Sequence, residues 1–265
     1  MKKNKEVFGT YEWAVANANF INGCSHDCKY CYSKEMAIRF KRKTALTWAQ
    51  EDVNINQINQ SFGKKNGYIM FPSTHDITPV NLDLSISFLR GILLSGNKVL
   101  IVSKPHLSVI TAICRTFSNF KSKILFRFTI GSIDSNVLQF WEPNAPDYSE
   151  RKQSLIFAYE QGFKTSLSCE PMLDDNVQAI VNDLEQYVTD SIWIGKMNFL
   201  LRRLKANNCC DEMTLQKAEQ LIRMQSDDKI KQLYSQLCNN PKIKWKESIK
   251  KVVGLEISND KGCDC

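Results

Sequence analysis

Gly23-Cys24-Ser25-His26-Asp27-Cys28-Lys29-Tyr30-Cys31-Tyr32 sets three cysteines within eight residues, at intervals of four and three. Thiolates are the soft ligands that iron–sulfur clusters require, and a loop this short can wrap a cubane so that each sulfur reaches a different iron. With three protein ligands the fourth iron is left open, and an open metal position is where a substrate binds and reacts. The same residues admit two other readings. A structural zinc site would recruit His26 or a distant cysteine as its fourth ligand, although zinc more often uses two close pairs. Plain buried cysteines would carry no metal at all. His26, two residues past Cys24, reads as an exposed loop residue.

Outward from this loop the chain alternates between two textures. Trp13 to Phe20 precedes it; Tyr68 to Phe71, Val99 to Ser103, Ile124 to Ile130, Thr165 to Cys169 and Ser191 to Ile194 follow. These six runs are short, apolar, and rich in β-branched and aromatic residues. Between them lie amphipathic segments at Lys34 to Lys41, Leu82 to Ser95, Leu107 to Phe117, Glu150 to Gln161 and Val177 to Val188. The alternation predicts an α/β fold of repeated βα units around a parallel sheet, each helix crossing over between consecutive strands. Leu46 to Phe62 reads as an extra helix inserted before the second strand, and Asn66-Gly67, Gly96-Asn97 and Gln161-Gly162 supply turns. From Leu200 onward the apolar runs shorten and charge rises. Residues 1–199 are therefore expected to form the core and 200–265 a helical appendage with a cysteine-rich tail. Its helices fall near Thr214 to Met224, Asp228 to Leu237 and Trp245 to Lys251.

A chain of 265 residues with 43% apolar content supports one large core. The charged start, Met1 to Glu6, leads into no apolar segment of signal-peptide or membrane-spanning length, which predicts a cytoplasmic protein with no membrane partner. Ten cysteines in that setting point to metal or reactive thiols rather than a disulfide framework. The net charge of +7 favours anionic partners, nucleic acid among them. Basic residues gather at Lys41-Arg42-Lys43, at Arg202, Arg203 and Lys205, and along Lys242 to Lys251, where a solvated face is an equal reading.

The Cys-x3-Cys-x2-Cys spacing, with an aromatic residue directly before the third cysteine, resembles the signature of the radical S-adenosylmethionine (SAM) superfamily. The resemblance implies a partial (β/α)6 TIM-type barrel with the cluster loop after the first strand. It implies a [4Fe-4S] cluster on Cys24, Cys28 and Cys31, and SAM bound to the open iron through its amino and carboxylate groups. Tyr30 would pack near the adenine, with Tyr32 a further cofactor contact. The implied chemistry is reductive cleavage of SAM to a 5′-deoxyadenosyl radical that abstracts hydrogen from a substrate, with a reductant such as flavodoxin or ferredoxin as partner.

From roughly Trp13 to Asn198 the chain is most similar to the spore photoproduct lyase-like branch of that superfamily. By this resemblance Ser73, Thr74 and Asp76 are candidates for the SAM amino group, and Lys104 for its carboxylate. Thr129 and Ser132 would meet methionine and ribose, Glu142 (followed by Arg151) the ribose, and Ser168 or Glu170 would lie beside SAM. On the residues alone, Asp76 is equally a helix-terminal carboxylate, whereas a lysine at a strand's C-terminal mouth suits a barrel active site. Cys169 is the candidate catalytic thiol, able to return hydrogen to a product radical; as a bare residue it reads as a small buried side chain. The chain departs from the branch at the second strand's end, where Phe71 and Pro72 replace the hydrogen-donating cysteine. In the tail, Cys209, Cys210, Cys238, Cys263 and Cys265 could ligate an auxiliary cluster or a metal; with no Cys-x2-Cys pair among them, they read as exposed thiols. The competing function is a nucleic-acid-binding module on structural zinc; electron transfer alone would call for a fourth cysteine near the loop.

Overall fold

Strands whose residues are apolar on both faces need cover on both sides, the condition met by a parallel sheet. The computed structural model describes residues 6–262. Its strands are β1 (Ala16–Asn17), β2 (Ile21–Asn22), β3 (Asp52–Val53), β4 (Tyr68–Phe71), β5 (Lys98–Ser103), β6 (Ile124–Thr129), β7 (Lys164–Cys169), β8 (Ile192–Ile194) and β9 (Ile243–Trp245). Seven of them form one parallel sheet in the order β1-β4-β5-β6-β7-β8-β9, and β2 pairs with β3 in a separate antiparallel ribbon. The helices are α1 (Tyr32–Arg39), α2 (Ile55–Ile58), α3 (Leu82–Leu94), α4 (Leu107–Thr116), α5 (Ser135–Trp141), α6 (Tyr148–Glu160), α7 (Val177–Leu184), α8 (Leu200–Ala206), α9 (Glu212–Met224), α10 (Asp227–Leu237) and α11 (Glu247–Val253).

Alternation along each strand divides the side chains between two faces. Ile69, Phe71, Val99, Ile101, Phe126, Phe128, Leu167, Ile192 and Ile194 pack outward with Phe88 and Leu89 of α3 and Val109 and Ile113 of α4 in the main core. Met70, Leu100, Leu125 and Trp193 point to the other face, where Trp13 and Ala14 cover them. Arg127 is also on this inner face, sandwiched between the rings of Trp13 and Trp193 at 4.8 and 5.2 Å. The result is a half-barrel, α/β and parallel, whose C-terminal strand ends share one rim.

Three expectations change. The appendage is not wholly helical: Ile243–Trp245 adds a seventh strand against β8, because Ile243 and Trp245 alternate with lysines and supply one apolar face. Leu46 to Phe62 contains the short β3 and a single turn, α2, rather than a long helix. Helix α5, between β6 and α6, has no counterpart in the sequence-based expectation. Among the described residues no helix is long and apolar enough to cross a membrane. Cys263 and Cys265 lie outside the described residues.

Candidate cluster and cofactor site

The connection from β2 to α1 carries the three cysteines. Gly23 opens it at φ +117°, and a Cβ there would lie 2.2 Å from the Gln50 carbonyl oxygen, so only glycine lets the loop pass that backbone. Other segments then pin the loop. Cys24 N–H donates to Trp48 O at 3.0 Å and Lys29 N–H to Trp141 O at 2.9 Å. Asn207, at the end of α8, donates to the carbonyls of Lys29 and Cys31 at 2.9 and 3.0 Å. Ser25 is held through its N–H and hydroxyl by Glu51, at 3.1 and 2.9 Å.

Cys24 and Cys28 are buried and Cys31 is half-buried. Burial, with smaller contributions from Glu142 and Cys31, pushes the Cys28 thiol up to about 12, against the pull of Lys104. Burial, with Cys28, Asp76 and Cys31 beside it, holds Cys24 well above its ordinary range, and burial raises Cys31. Thiolates in such a loop need positive charge beside them. A [4Fe-4S] core would supply it, and the donor set suits one: three soft side chains on one loop, which would leave one iron for another group. Among the described residues no three His, Cys, Asp or Glu side chains close on a single-ion site. His26 is buried rather than exposed. Its Nδ1 lies 3.3 Å from Asp76 Oδ2 and its Nε2 3.3 Å from His106 Nε2, so both ring nitrogens already have partners other than a metal.

Beside the cysteines lies a buried charge network. Glu142 sits 2.6 Å from the Arg151 guanidinium and 3.8 Å from the Lys104 ammonium, and it accepts the Tyr30 hydroxyl. Burial would raise the Glu142 carboxyl, but Arg151 and Lys104 outweigh it and hold it down. For Lys104 burial pulls downward, yet the Cys28 thiolate, Glu142 and Asp76 together raise the ammonium above its usual range. The Lys104 Nζ lies 5.9 Å from the Tyr30 ring centroid. Arg151 also reaches the Thr129 carbonyl at 3.1 Å, tying β6 to the same cluster. Tyr30, Lys104, Thr129 and Glu142 are thus brought together around Cys28.

The remaining candidates divide. Asp76 is next to this group, but its carboxylate is filled from within: Ile77 N–H and the Ser103 hydroxyl bond Oδ1, and Lys104 N–H bonds Oδ2 at 2.8 Å. Ser73 and Thr74 form a turn whose N–H groups bond Asn19 Oδ1, and the Tyr32 hydroxyl donates to the Ser73 carbonyl. Ser168 pairs in register with Thr129 on the inner face and keeps a fully buried hydroxyl with no partner, the kind of orphan a bound group satisfies. Ser132 is occupied in a turn, donating to Asp174 and accepting Asp134 N–H at 2.9 Å. Cys169 requires a correction. One residue past Ser168, it points to the opposite face and is buried in the helix-side core, where burial pushes its thiol up to about 12.

Several residues escaped the sequence reading. His106, Asn207 and Glu51 carry no motif, and contact alone reveals them. Lys246, expected on a basic surface, is fully buried: its ammonium is 2.6 Å from Glu12 and 3.5 Å from Glu170, over the Trp13 ring. The missed signal was the pattern Ile243-Lys244-Trp245-Lys246, a strand ending in lysine just as β5 ends in Ser103-Lys104.

No protein-family model matches the chain. It is 26% identical over 197 residues to an uncharacterized protein of Acidianus two-tailed virus, covering 69% of this chain. It is 24% identical over 172 residues to an uncharacterized protein of Methanocaldococcus jannaschii, covering 62% of this chain. The matched region spans 64% of the length of each of these relatives. Among solved structures, a spore photoproduct lyase variant superposes with a TM-score of 0.58 at 15% identity, covering 92% of this chain and 79% of that one. The chain has the fold of spore photoproduct lyase. A second spore photoproduct lyase structure, with bound AdoMet and dinucleoside spore photoproduct, gives a TM-score of 0.55 at 14% identity over 80% of this chain and 65% of that one. The half-barrel of spore photoproduct lyase and the branch resemblance drawn from Trp13 to Asn198 agree at the level of fold.

Proposed function

We propose that this chain is a radical SAM enzyme acting on nucleic acid, with a [4Fe-4S] cluster held by Cys24, Cys28 and Cys31. The observation that carries the reading is the meeting of three cysteines on one loop, two of them buried, with the Lys104, Glu142 and Tyr30 network at the C-terminal rim of a half-barrel. When bound, the cluster and SAM supply one-electron reductive cleavage and a 5′-deoxyadenosyl radical able to take hydrogen from a substrate.

The chain's own residues prepare the site. Asp76 fixes the Lys104 backbone and so aims the ammonium, which is positioned to pair with the SAM carboxylate. Because the Asp76 oxygens are filled, the SAM amino group falls to Ser73 and Thr74, and Asp76 is a positioning residue. Glu142 locks the Tyr30 phenol, which fixes the ring face offered to the adenine. Thr129 and Ser168 present hydroxyls side by side on the inner face. Exposed Phe40 with Arg39 at 5.8 Å, and exposed Phe199 with Arg202 at 4.4 Å, give α1 and α8 the aromatic and cationic surface that single-stranded nucleic acid uses.

Anaerobic reconstitution with iron and sulfide is expected to give a brown protein that forms 5′-deoxyadenosine from SAM after reduction by dithionite, flavodoxin or ferredoxin. A colourless protein holding one zinc tightly would overturn the reading. For the substrate class, a labelled single-stranded oligonucleotide is expected to bind with salt-sensitive affinity; binding no tighter than to a polyanion control would remove nucleic acid from the proposal.

A further inference from the structure

Beside β1, at the outer edge of the sheet, lies a cavity of about 600 Å³ bounded by residues 17–23, α1 and α2. None of the cluster cysteines lines it, nor do Tyr30, Lys104 or Glu142; it shares only Tyr32 and Thr74 with the cofactor candidates. Its size is within the roughly 300–1,000 Å³ of small-molecule sites. Its chemistry is unusual for a surface cleft. Six carboxamides line it (Asn17, Asn19, Asn22, Asn54, Gln57 and Gln60) together with one cation, Arg42, and no carboxylate.

The amides are of two kinds. Asn19 is consumed by Ser73 and Thr74, at 2.8 to 3.0 Å, and builds the wall. The side-chain amides of Asn22, Gln57 and Gln60 have no hydrogen-bond partner among the described residues, leaving donors and acceptors for a ligand. Tyr32, tethered through its hydroxyl to the Ser73 carbonyl, presents a ring held at both ends, and Met36 one turn later extends that surface.

We infer that this cavity binds a nucleotide unit: its base lies against Tyr32 and Met36, the carboxamides read its edge, and Arg42 takes the phosphate. A carboxamide offers a donor and an acceptor on one rigid group, which matches the mixed pattern along a nucleobase edge. A guanidinium in a site without carboxylates pairs a phosphate without competition. The inference does not depend on the cluster reading, since none of the proposed cluster ligands lines the cavity.

The test uses the full chain with its cluster reconstituted anaerobically. Isothermal titration is run with adenosine and uridine 5′-monophosphates, a dinucleotide, ribose 5-phosphate and inorganic phosphate, each with and without saturating SAM. Nucleotide binding is expected, weakened about tenfold by Arg42→Ala and about threefold to tenfold by Gln57→Ala, and indifferent to SAM. Both positions are exposed, so the variants keep the fold, checked by circular dichroism. Tighter binding of the dinucleotide assigns the site to a strand; equal binding assigns it to free nucleotide. Ribose 5-phosphate binding as tightly as the nucleotides, no binding at all, unchanged affinity in both variants, or displacement by SAM would each overturn it. The rate at which the parent protein forms 5′-deoxyadenosine from SAM, measured with no nucleotide added, reports on the cluster reading separately.

Discussion

Asp76 and Lys104 form one unit: Asp76 Oδ2 accepts the Lys104 backbone N–H at 2.8 Å, joining the end of β4 to the end of β5. Burial alone would raise the Asp76 carboxyl, but His26, Lys104 and Ser103 outweigh it and hold it at about 2, below its ordinary 3.8. A carboxylate depressed in the folded state stabilises the protein above the unfolded pKa, and that contribution is lost as pH falls from about 3.8 to 2. Asp76→Asn is expected to remove about 2 kcal/mol at pH 7 and to flatten the acid limb of stability. Urea unfolding from pH 2 to 7 measures both. Parent-like stability at pH 7 would show that the carboxylate does not hold the rim.

Glu142 is the counter-ion of a guanidinium with no exposed side-chain surface, Arg151, at 2.6 Å. Removing one member of a buried pair leaves the other charge uncompensated, a loss of about 3–5 kcal/mol. Glu142→Gln is expected to show that loss, and Glu142→Gln with Arg151→Met to recover a large part of it. Denaturant midpoints of the two variants decide the matter: if the double variant is no more stable than the single, the pair is not the source.

The parts of this protein that could be read in one dimension are those set by local spacing. Cys24, Cys28 and Cys31 stand out because one short loop carries three thiols at ligand-like spacing, and strands β4 to β8 because buried parallel strands are written as apolar runs. The place of Lys104 directly after β5 was legible too. Residues recruited across the fold were not. His26 reads as a loop polar residue until Asp76 and His106 close on it, and Asn207 waits for α8 to fold back onto the cysteine loop. Lys246 shows the same limit, because its burial depends on Glu12, more than 200 positions upstream, coming within 2.6 Å. Cys169 was misplaced by a single residue of strand parity, which sequence position near the rim cannot resolve without the register.

Glu12 supplies a titration in the opposite direction from Asp76. Burial raises its carboxyl from the ordinary 4.5 to about 7, despite the Lys246 ammonium beside it. A carboxyl with a raised folded-state pKa binds its proton more tightly in the folded protein. Its stabilising contribution is complete below about 4.5 and disappears as pH rises through about 7. The melting temperature is therefore expected to fall between pH 5 and 8 more steeply than in Glu12→Gln, where that proton is absent. Equal slopes in the two proteins would place the titration elsewhere.

Cys169 tests the strand-parity argument directly. Its neighbours on the helix side include Leu167 and Met172, and its thiol is raised to about 12 by burial, so it is neither on the face that carries Thr129 and Ser168 nor ionised near neutrality. A hydrogen donor to a substrate radical must reach the inner face, and the backbone of β7 separates the sulfur from it. Cys169→Ala is expected to keep the parent rate of 5′-deoxyadenosine formation while losing about 1 kcal/mol of stability through poorer packing. Cys169→Ser is expected to lose more, about 1–3 kcal/mol, since it buries a hydroxyl in an apolar setting. Collapse of activity in a Cys169→Ala protein that still melts cooperatively would return the thiol to the chemistry and require β7 to present it on the inner face.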